Sequence, residues 1–176
     1  RATGGGPAPH PPLPATEAAA PPEAVRPPRS APRTAHLGID VGSVSTNVVL
    51  LSEDLELLEE IYVPTRGRPV AALDEALGAV SARLGDGADD LVVLSVGATG
   101  SGRHLADRLV GADLVKNEIT AQLASAAEVV PGVDTVFEIG GQDSKFIDAR
   151  GGQLREFEMN KICAAGTGSF LEEQAE

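Results

Sequence analysis

Two short turns in this chain carry the residue types that grip phosphate. The first, Asp40-Val41-Gly42-Ser43-Val44-Ser45-Thr46, lies between two β-rich runs, "HLGID" and "TNVVLL". A tight turn at Gly42 lets backbone N–H groups point at an anion, and the hydroxyls of Ser43, Ser45 and Thr46 add donors. Asp40, at the strand end, is placed to hold a magnesium ion through water. The second turn, Glu138-Ile139-Gly140-Gly141-Gln142-Asp143-Ser144-Lys145, again follows an apolar run and precedes another. Gly140 and Gly141 allow close backbone approach to a phosphate, while Gln142 and Asp143 can orient water or metal. Each turn alone is equally an ordinary hairpin or bulge. Two Asp/Glu-x-Gly turns facing each other would clamp a polyphosphate from both sides.

A third turn, Gly97-Ala98-Thr99-Gly100-Ser101-Gly102-Arg103-His104, has the G-x-x-x-x-G spacing of a P-loop. Arg103 stands where that motif needs lysine, and His104 where it needs Ser or Thr for magnesium. An interior turn lining a nucleotide cleft is the better expectation. Cys163, the only cysteine in 176 residues, directly precedes a predicted helix and a Gly-Thr-Gly turn. A thiol at a helix N-terminus, with Lys161 nearby, favours the thiolate that binds iron. A small buried hydrophobe is the alternative.

The elements that must position these turns are legible from periodicity. "LELLEEIYVP" supplies a third strand, then Val70, Leu73, Leu77, Val80 and Leu84 recur at helical spacing between Pro69 and Gly85. "LVVLSVG" reads as a fully buried strand. "GSGRHLADRLVG" turns helical, and "NEITAQLASAAEVV" is a helix with Asn117 as N-cap. "DTVFEIGG" is a strand, and "QDSKFIDARGGQLREFEMN" a β-hairpin around Arg150-Gly151-Gly152. "CAAGTGSFLEEQAE" opens a last helix. The order β-β-β-α-β-α-α-β-β-β-α departs from regular doubly wound alternation. It fits an α/β fold of the ribonuclease-H/actin-like type, a mixed sheet with flanking helices in which a β-hairpin carries the phosphate loop. The last helix has no closing residue, so the domain is expected to continue into a second half.

Composition narrows the class. Hydrophobic residues make up 42% and aromatics only 3%, so the core must be aliphatic. The net charge of −12 disfavours nucleic acid, and no basic stripe offsets it. One cysteine excludes an internal disulfide framework and points to a reducing cytoplasm. No apolar run approaches the roughly 20 residues of a membrane span. Ten of the 13 prolines lie before Arg33. Residues 1–34 are therefore expected to be a disordered linker, or a docking segment for a proline-reading domain, with the folded domain over residues 35–176.

"LGIDVGSVSTNVVLL", "GATGSGR", "VKNEITA", "FEIGGQDSKFI" and "NKICAAGTGSFLEE" together resemble the ATPase activators of 2-hydroxyacyl-CoA dehydratases and benzoyl-CoA reductases. These belong to the acetate kinase, sugar kinase, heat-shock-chaperone and actin superfamily. The resemblance covers about Leu37 to Glu176, and "VPTRGRP" and "FEIGGQDSK" look like the long, multidomain members. It implies a homodimeric ATPase with one 4Fe–4S cluster shared between subunits. ATP hydrolysis would send an electron, received from a ferredoxin or flavodoxin, to a dehydratase or reductase component, possibly in the same polypeptide. By position, Asp40, Gly42, Ser43, Ser45 and Thr46 would form the first phosphate loop. Glu138, Gly140, Gly141, Gln142 and Asp143 would form the second, with Gly166 and Gly168 adding nucleotide contacts. Glu118 would orient the attacking water, or else serve only as a first-turn acid favoured by the helix dipole. Cys163 would ligate the cluster.

Two departures stand out: Glu138 replaces the Asp usual in short activators, and a shared cluster needs two cysteines per chain. A second cysteine and the adenosine-binding segment would lie beyond Glu176. The competing readings are a small-molecule kinase of the same superfold and a non-catalytic nucleotide-binding module. In the complete protein, Cys163→Ser is expected to remove bound iron while nucleotide binding survives; anaerobic iron analysis alongside a nucleotide titration checks both.

Overall fold

The structure, a computed structural model, describes residues 33–88, 90–161 and 166–175. Residues 1–32 of the Pro-rich segment and Cys163 lie outside the described residues. Five strands form the first sheet: β1 (Arg33–Val41), β2 (Ser45–Leu51), β3 (Leu57–Pro64), β4 (Leu91–Thr99) and β5 (Leu114–Val115). Their spatial order is β3-β2-β1-β4-β5. The first three are an antiparallel meander, while β4 lies parallel to β1 and β5 parallel to β4. This is the mixed sheet that the element order predicts. Arg33 and Thr34 belong to β1, so the sheet begins two residues inside the segment expected as linker. The two-residue β5 was not foreseen, because it is too short to carry an apolar pattern.

Helix α1 (Pro69–Leu84) begins with Pro in its first turn and ends at Gly85, whose φ is 56°. It buries Ala72, Leu73, Ala76, Val80 and Leu84 against β2 and β3. Val70, expected in the stripe, is exposed, because two alanines turn the buried face toward positions 72 and 76. The core beneath α1 is aliphatic: Ile39, Val41, Val48, Leu50, Ile61 and Val63 are all buried. β4 corrects the expectation of a fully buried strand. Val92, Val93 and Leu94 are exposed, because β5 pairs only with Gly97 and Ala98 and leaves the first half of β4 uncovered on that side.

Helices α2 (Arg103–Val110) and α3 (Glu118–Val129) follow β4 and β5. Asn117 caps α3 by accepting from the Thr120 N–H at 2.8 Å. A second, three-stranded sheet follows, β6 (Thr135–Ile139), β7 (Ser144–Arg150) and β8 (Gln153–Met159), before α4 (Gly168–Ala175). Gly151 and Gly152 both have positive φ, 62° and 74°, as the predicted β7–β8 hairpin requires.

The first two strands of the second sheet repeat β1 and β2 at one constant offset, and the third follows one residue earlier than that offset would place it. Asp40 pairs with Asn47 as Glu138 pairs with Lys145, and Ile39 with Val48 as Phe137 with Phe146. Even the irregularity recurs, between Leu50 and Leu51 and between Asp148 and Ala149. The covering differs: Ile39 and Val41 are buried, whereas their counterparts Phe137 and Ile139 are exposed.

The turn after β4 is held against the end of β1. Gly102 N–H donates to the Val41 carbonyl at 2.8 Å. Gly100 has φ +84°, and a Cβ there would meet Asp40 Oδ1 and lie 2.5 Å from the Val41 carbonyl oxygen. Gly100→Ala therefore combines left-handed strain with a backbone clash and is expected to cost about 2–4 kcal/mol. Gly111→Ala, at φ +68° with open space around it, should cost only about 1 kcal/mol. Urea unfolding of the two variants tests the difference.

Candidate functional site

The two glycine hairpins have the same backbone. Gly42 N–H donates to Ser45 O at 2.8 Å, and Gly140 N–H donates to Asp143 O at 2.8 Å. Each loop is braced by the polar residue that follows its third strand. Thr65, after β3, donates its backbone N–H to Val44 O and its hydroxyl to Gly42 O, at 2.7 and 3.0 Å. Asn160, after β8, accepts from the Ser144 N–H at 3.0 Å and donates to Gln142 O at 3.2 Å. Thus both loops are held by bonds from the residue that follows the third strand.

The hairpin tips meet. A Cβ on Gly141 would lie 2.5 Å from Val44 Cγ2, so only glycine permits this approach. Helix α4 fixes the second loop from behind. Gly168 and Ser169 N–H groups donate to the Gly140 and Gly141 carbonyls at 2.9 and 3.0 Å, and the Ser169 hydroxyl also reaches Gly141 O.

Between the loops lies a cavity of about 130 Å³, room for a phosphoryl group and water rather than a nucleoside. The first loop supplies Asp40, Gly42, Ser43 and Ser45, and the second Glu138, Gly140, Gly141, Gln142 and Asp143. Gly100 and Ser101 come from the turn after β4, and Glu118 from the first turn of α3. Three of the residues singled out in the sequence are placed elsewhere. Thr46 is fully buried, and its hydroxyl pairs with that of Thr65 at 3.1 Å, because β2 turns alternate side chains into the core. Gly168 spends its N–H on the Gly140 carbonyl. Gly166 borders an adjoining opening of about 360 Å³ beside Phe137 and Phe146, which shares Glu138 and Lys145 with this cavity.

Lys145 and Gln122 also line the cavity, and sequence reasoning had given neither a role. Lys145 donates to Glu138 Oε2 at 2.7 Å, with only 6% of its side chain exposed. The pairing is a hairpin register, opposite residues on β6 and β7, so the signal was present in the strand alternation. Gln122 lies one turn after Glu118 on α3, the i,i+4 spacing that shares a face. Arg103, from the failed P-loop position, contacts Glu118 Oε2 at 3.5 Å and donates to Gly100 O at 3.0 Å.

The cavity is overloaded with negative charge. Burial raises the Asp40 pKa above the usual carboxylate range, and Glu118 and Glu138 raise it further; Lys145 opposes them. A divalent cation would relieve this repulsion, and the carboxylate and hydroxyl oxygens of the lining suit magnesium. Magnesium commonly takes one or two carboxylates, completing its shell with water and phosphate oxygens. Among the described residues no group of three or more His, Cys, Asp and Glu side chains is arranged to hold a metal ion. No described helix is long and apolar enough to cross a membrane.

Paired sheets carrying two such hairpins around one cavity define the actin-like ATPase fold. The activator of 2-hydroxyisocaproyl-CoA dehydratase from Clostridium difficile, solved with bound ADPNP, superposes with a TM-score of 0.64 at 28% identity. That match covers 80% of this chain and 51% of the activator. Residues 37–176 match the BadF/BadG/BcrA/BcrD ATPase family, and the chain belongs to it. The (R)-2-hydroxyglutaryl-CoA dehydratase activating ATPase of Acidaminococcus fermentans is 36% identical over 143 residues, 79% of this chain and 52% of that protein. The activator of lactoyl-CoA dehydratase from Anaerotignum propionicum is 38% identical over 144 residues, with the same coverage of 79% and 52%. The chain thus spans about half the length of these relatives.

Asp40 yields a stability test. A carboxyl whose folded pKa is raised binds its proton more tightly when folded, so stability falls as pH rises from the unfolded pKa through the folded one. Wherever Asp40 is ionised in the folded state, its charge is a standing cost. Asp40→Asn is expected to raise the melting temperature at pH 7 in magnesium-free buffer. The gain should shrink as pH falls through the folded pKa and vanish below the unfolded one, about 3.9, where Asp40 is protonated in both states.

Proposed function

We propose that the protein containing this chain is a cytoplasmic, magnesium-dependent ATPase that activates an acyl-CoA dehydratase or benzoyl-CoA reductase type partner by delivering a low-potential electron. The observation that carries the ATPase reading is the closure of two glycine hairpins, tip against tip, on one cavity that also holds Asp40 and Glu118. The N–H groups and hydroxyls of Ser43 and Ser45 bind phosphate oxygens from one side, and Gly141 and Gln142 from the other. Asp40 and Asp143 would hold the magnesium ion, which screens the triphosphate from the surrounding carboxylates. Lys145 adds the buried positive charge of the site. Glu118 takes the proton of the attacking water; the new bond joins that oxygen to the γ-phosphorus, and ADP leaves with the bridging oxygen. Arg103 keeps the Glu118 carboxylate turned toward the cavity.

Activation of a dehydratase is supported by relatives that carry that role in their names. The electron step rests on the Cys163 motif; a four-thiolate cluster shared by two copies would need two thiolates from each, one of them besides Cys163. Bound, such a cluster supplies a one-electron store refilled by a ferredoxin or flavodoxin. The hinge that couples it to hydrolysis is α4, which follows Cys163 in sequence and donates its first N–H groups to the second phosphate loop.

Phosphate release from Mg-ATP by the complete protein tests the reading. Glu118→Gln is expected to lower kcat by roughly 10²–10⁴-fold, the usual weight of a general base, with nucleotide affinity within a few-fold of wild type. Unchanged turnover overturns the role of Glu118. Phosphate appearing on an added sugar or carboxylate, in place of free phosphate, favours a small-molecule kinase.

A further inference from the structure

We infer that Asn160 is a positioning residue for the second phosphate loop, an inference that rests on the nucleotide-binding part of the ATPase reading above. Its side chain holds both peptide groups that flank Asp143. Asn160 Nδ2 donates to the Gln142 carbonyl at 3.2 Å, and Oδ1 accepts from the Ser144 N–H at 3.0 Å. One partner is an acceptor and the other a donor, so the position calls for a primary amide. An ionised carboxylate has no donor, and a hydroxyl is a single group. The Asn160 backbone N–H donates to Ser144 O at 3.1 Å and sets the residue beside the loop.

The two peptides carry four polar groups, and three are bonded within the fold. Gln142 O and the Ser144 N–H go to Asn160, and Asp143 O accepts from the Gly140 N–H at 2.8 Å. The fourth, the Asp143 N–H, has no partner among the described residues. A trans peptide sets its N–H opposite its C=O, so this N–H points away from Asn160. Gln142 and Asp143, which that peptide joins, both line the cavity, whereas Asn160 borders the adjoining opening and not the cavity. Asn160 thus aims the Asp143 N–H at a phosphate oxygen bound between the loops.

The first hairpin holds the corresponding peptide by the same atom. There the Val44 carbonyl accepts from the Thr65 N–H at 2.7 Å, and Ser45 lines the cavity. The donor is backbone in the first hairpin and side chain in the second. Only the second of these bonds can be removed by substitution.

The test compares wild type with Asn160→Ala in the complete protein, by titration with ADPNP in magnesium and by steady-state phosphate release from Mg-ATP. Losing Asn160 frees the Gln142 carbonyl to rotate, and the Asp143 donor is lost to bound and reacting nucleotide alike, so the loss falls on KM. ADPNP affinity is expected to fall and KM for Mg-ATP to rise about 10-fold each, the weight of one hydrogen bond to a charged group, with kcat within about threefold. Asn160→Asp keeps the acceptor for Ser144 but turns an oxygen toward Gln142 O; it should lose at least as much affinity, and it takes the place of the Ala variant if that does not fold. Wild-type ADPNP affinity in either variant overturns the assignment, as do equal falls in kcat and affinity, the mark of a general loosening. A wild-type protein that binds ADPNP yet releases no phosphate overturns hydrolysis, and the affinity comparison still decides the role of Asn160. A wild-type protein that binds no ADPNP overturns both.

Discussion

The contact between Val44 and Gly141 governs this structure. Two hairpins built on different sheets touch at their tips, and they do so because position 141 has no side chain to separate them. That distance brings a carboxylate at the end of β1 into the same small space as one at the end of β6. Everything else in the site answers to this crowding. Thr65 and Asn160 hold the loops from outside, and α4 ties the second loop through its leading N–H groups. Lys145 is buried against Glu138, and Arg103 is drawn to Glu118.

The crowding has an energetic direction. A buried carboxylate near others of like charge destabilises the folded state unless a cation or a proton arrives. The aliphatic core under α1 supplies the offsetting stability, and it does so from the opposite face of the first sheet, where Ile39, Val48 and Ile61 lie in one row. Strand alternation makes this division possible: neighbours along β1 serve opposite purposes, Ile39 and Val41 in the core and Asp40 in the cavity. A site with excess negative charge is also selective. Such a charge disfavours anions that arrive without a cation.

Much of this was legible in the sequence, and the reasons are specific. The two loops announced themselves because glycine and acid recur at the same spacing after an apolar run. α1 was bounded by Pro69 and Gly85, and α3 by Asn117, all residues with strong local preferences. What escaped was decided by tertiary partners. Thr46 looked like a phosphate donor from its type, yet its hydroxyl faces Thr65, a residue whose closeness depends on the β2–β3 register. Lys145 needed the β6–β7 pairing, and Gln122 needed α3 to be laid across the cavity. The exposure of Val92 to Leu94 escaped for a related reason: an apolar run reports what a strand can bury, not what lies beside it.

The repeat of strands sharpens the division of labour between the two hairpins. Backbone, register and irregularity are shared, so differences in chemistry come from side chains alone. At the position facing the acid across the hairpin, the first copy has Asn47 and the second Lys145. Glu138 is therefore neutralised within its own hairpin, by a lysine 2.7 Å away. Asp40 has only a neutral amide opposite, and burial together with two acidic neighbours holds its pKa up. Of two equivalent carboxylates, one is satisfied by the protein and the other is left for a ligand. That asymmetry leaves the Asp40 side of the cavity the less compensated of the two. The second hairpin offsets one of its two loop carboxylates, Glu138, and leaves Asp143 in the cavity lining.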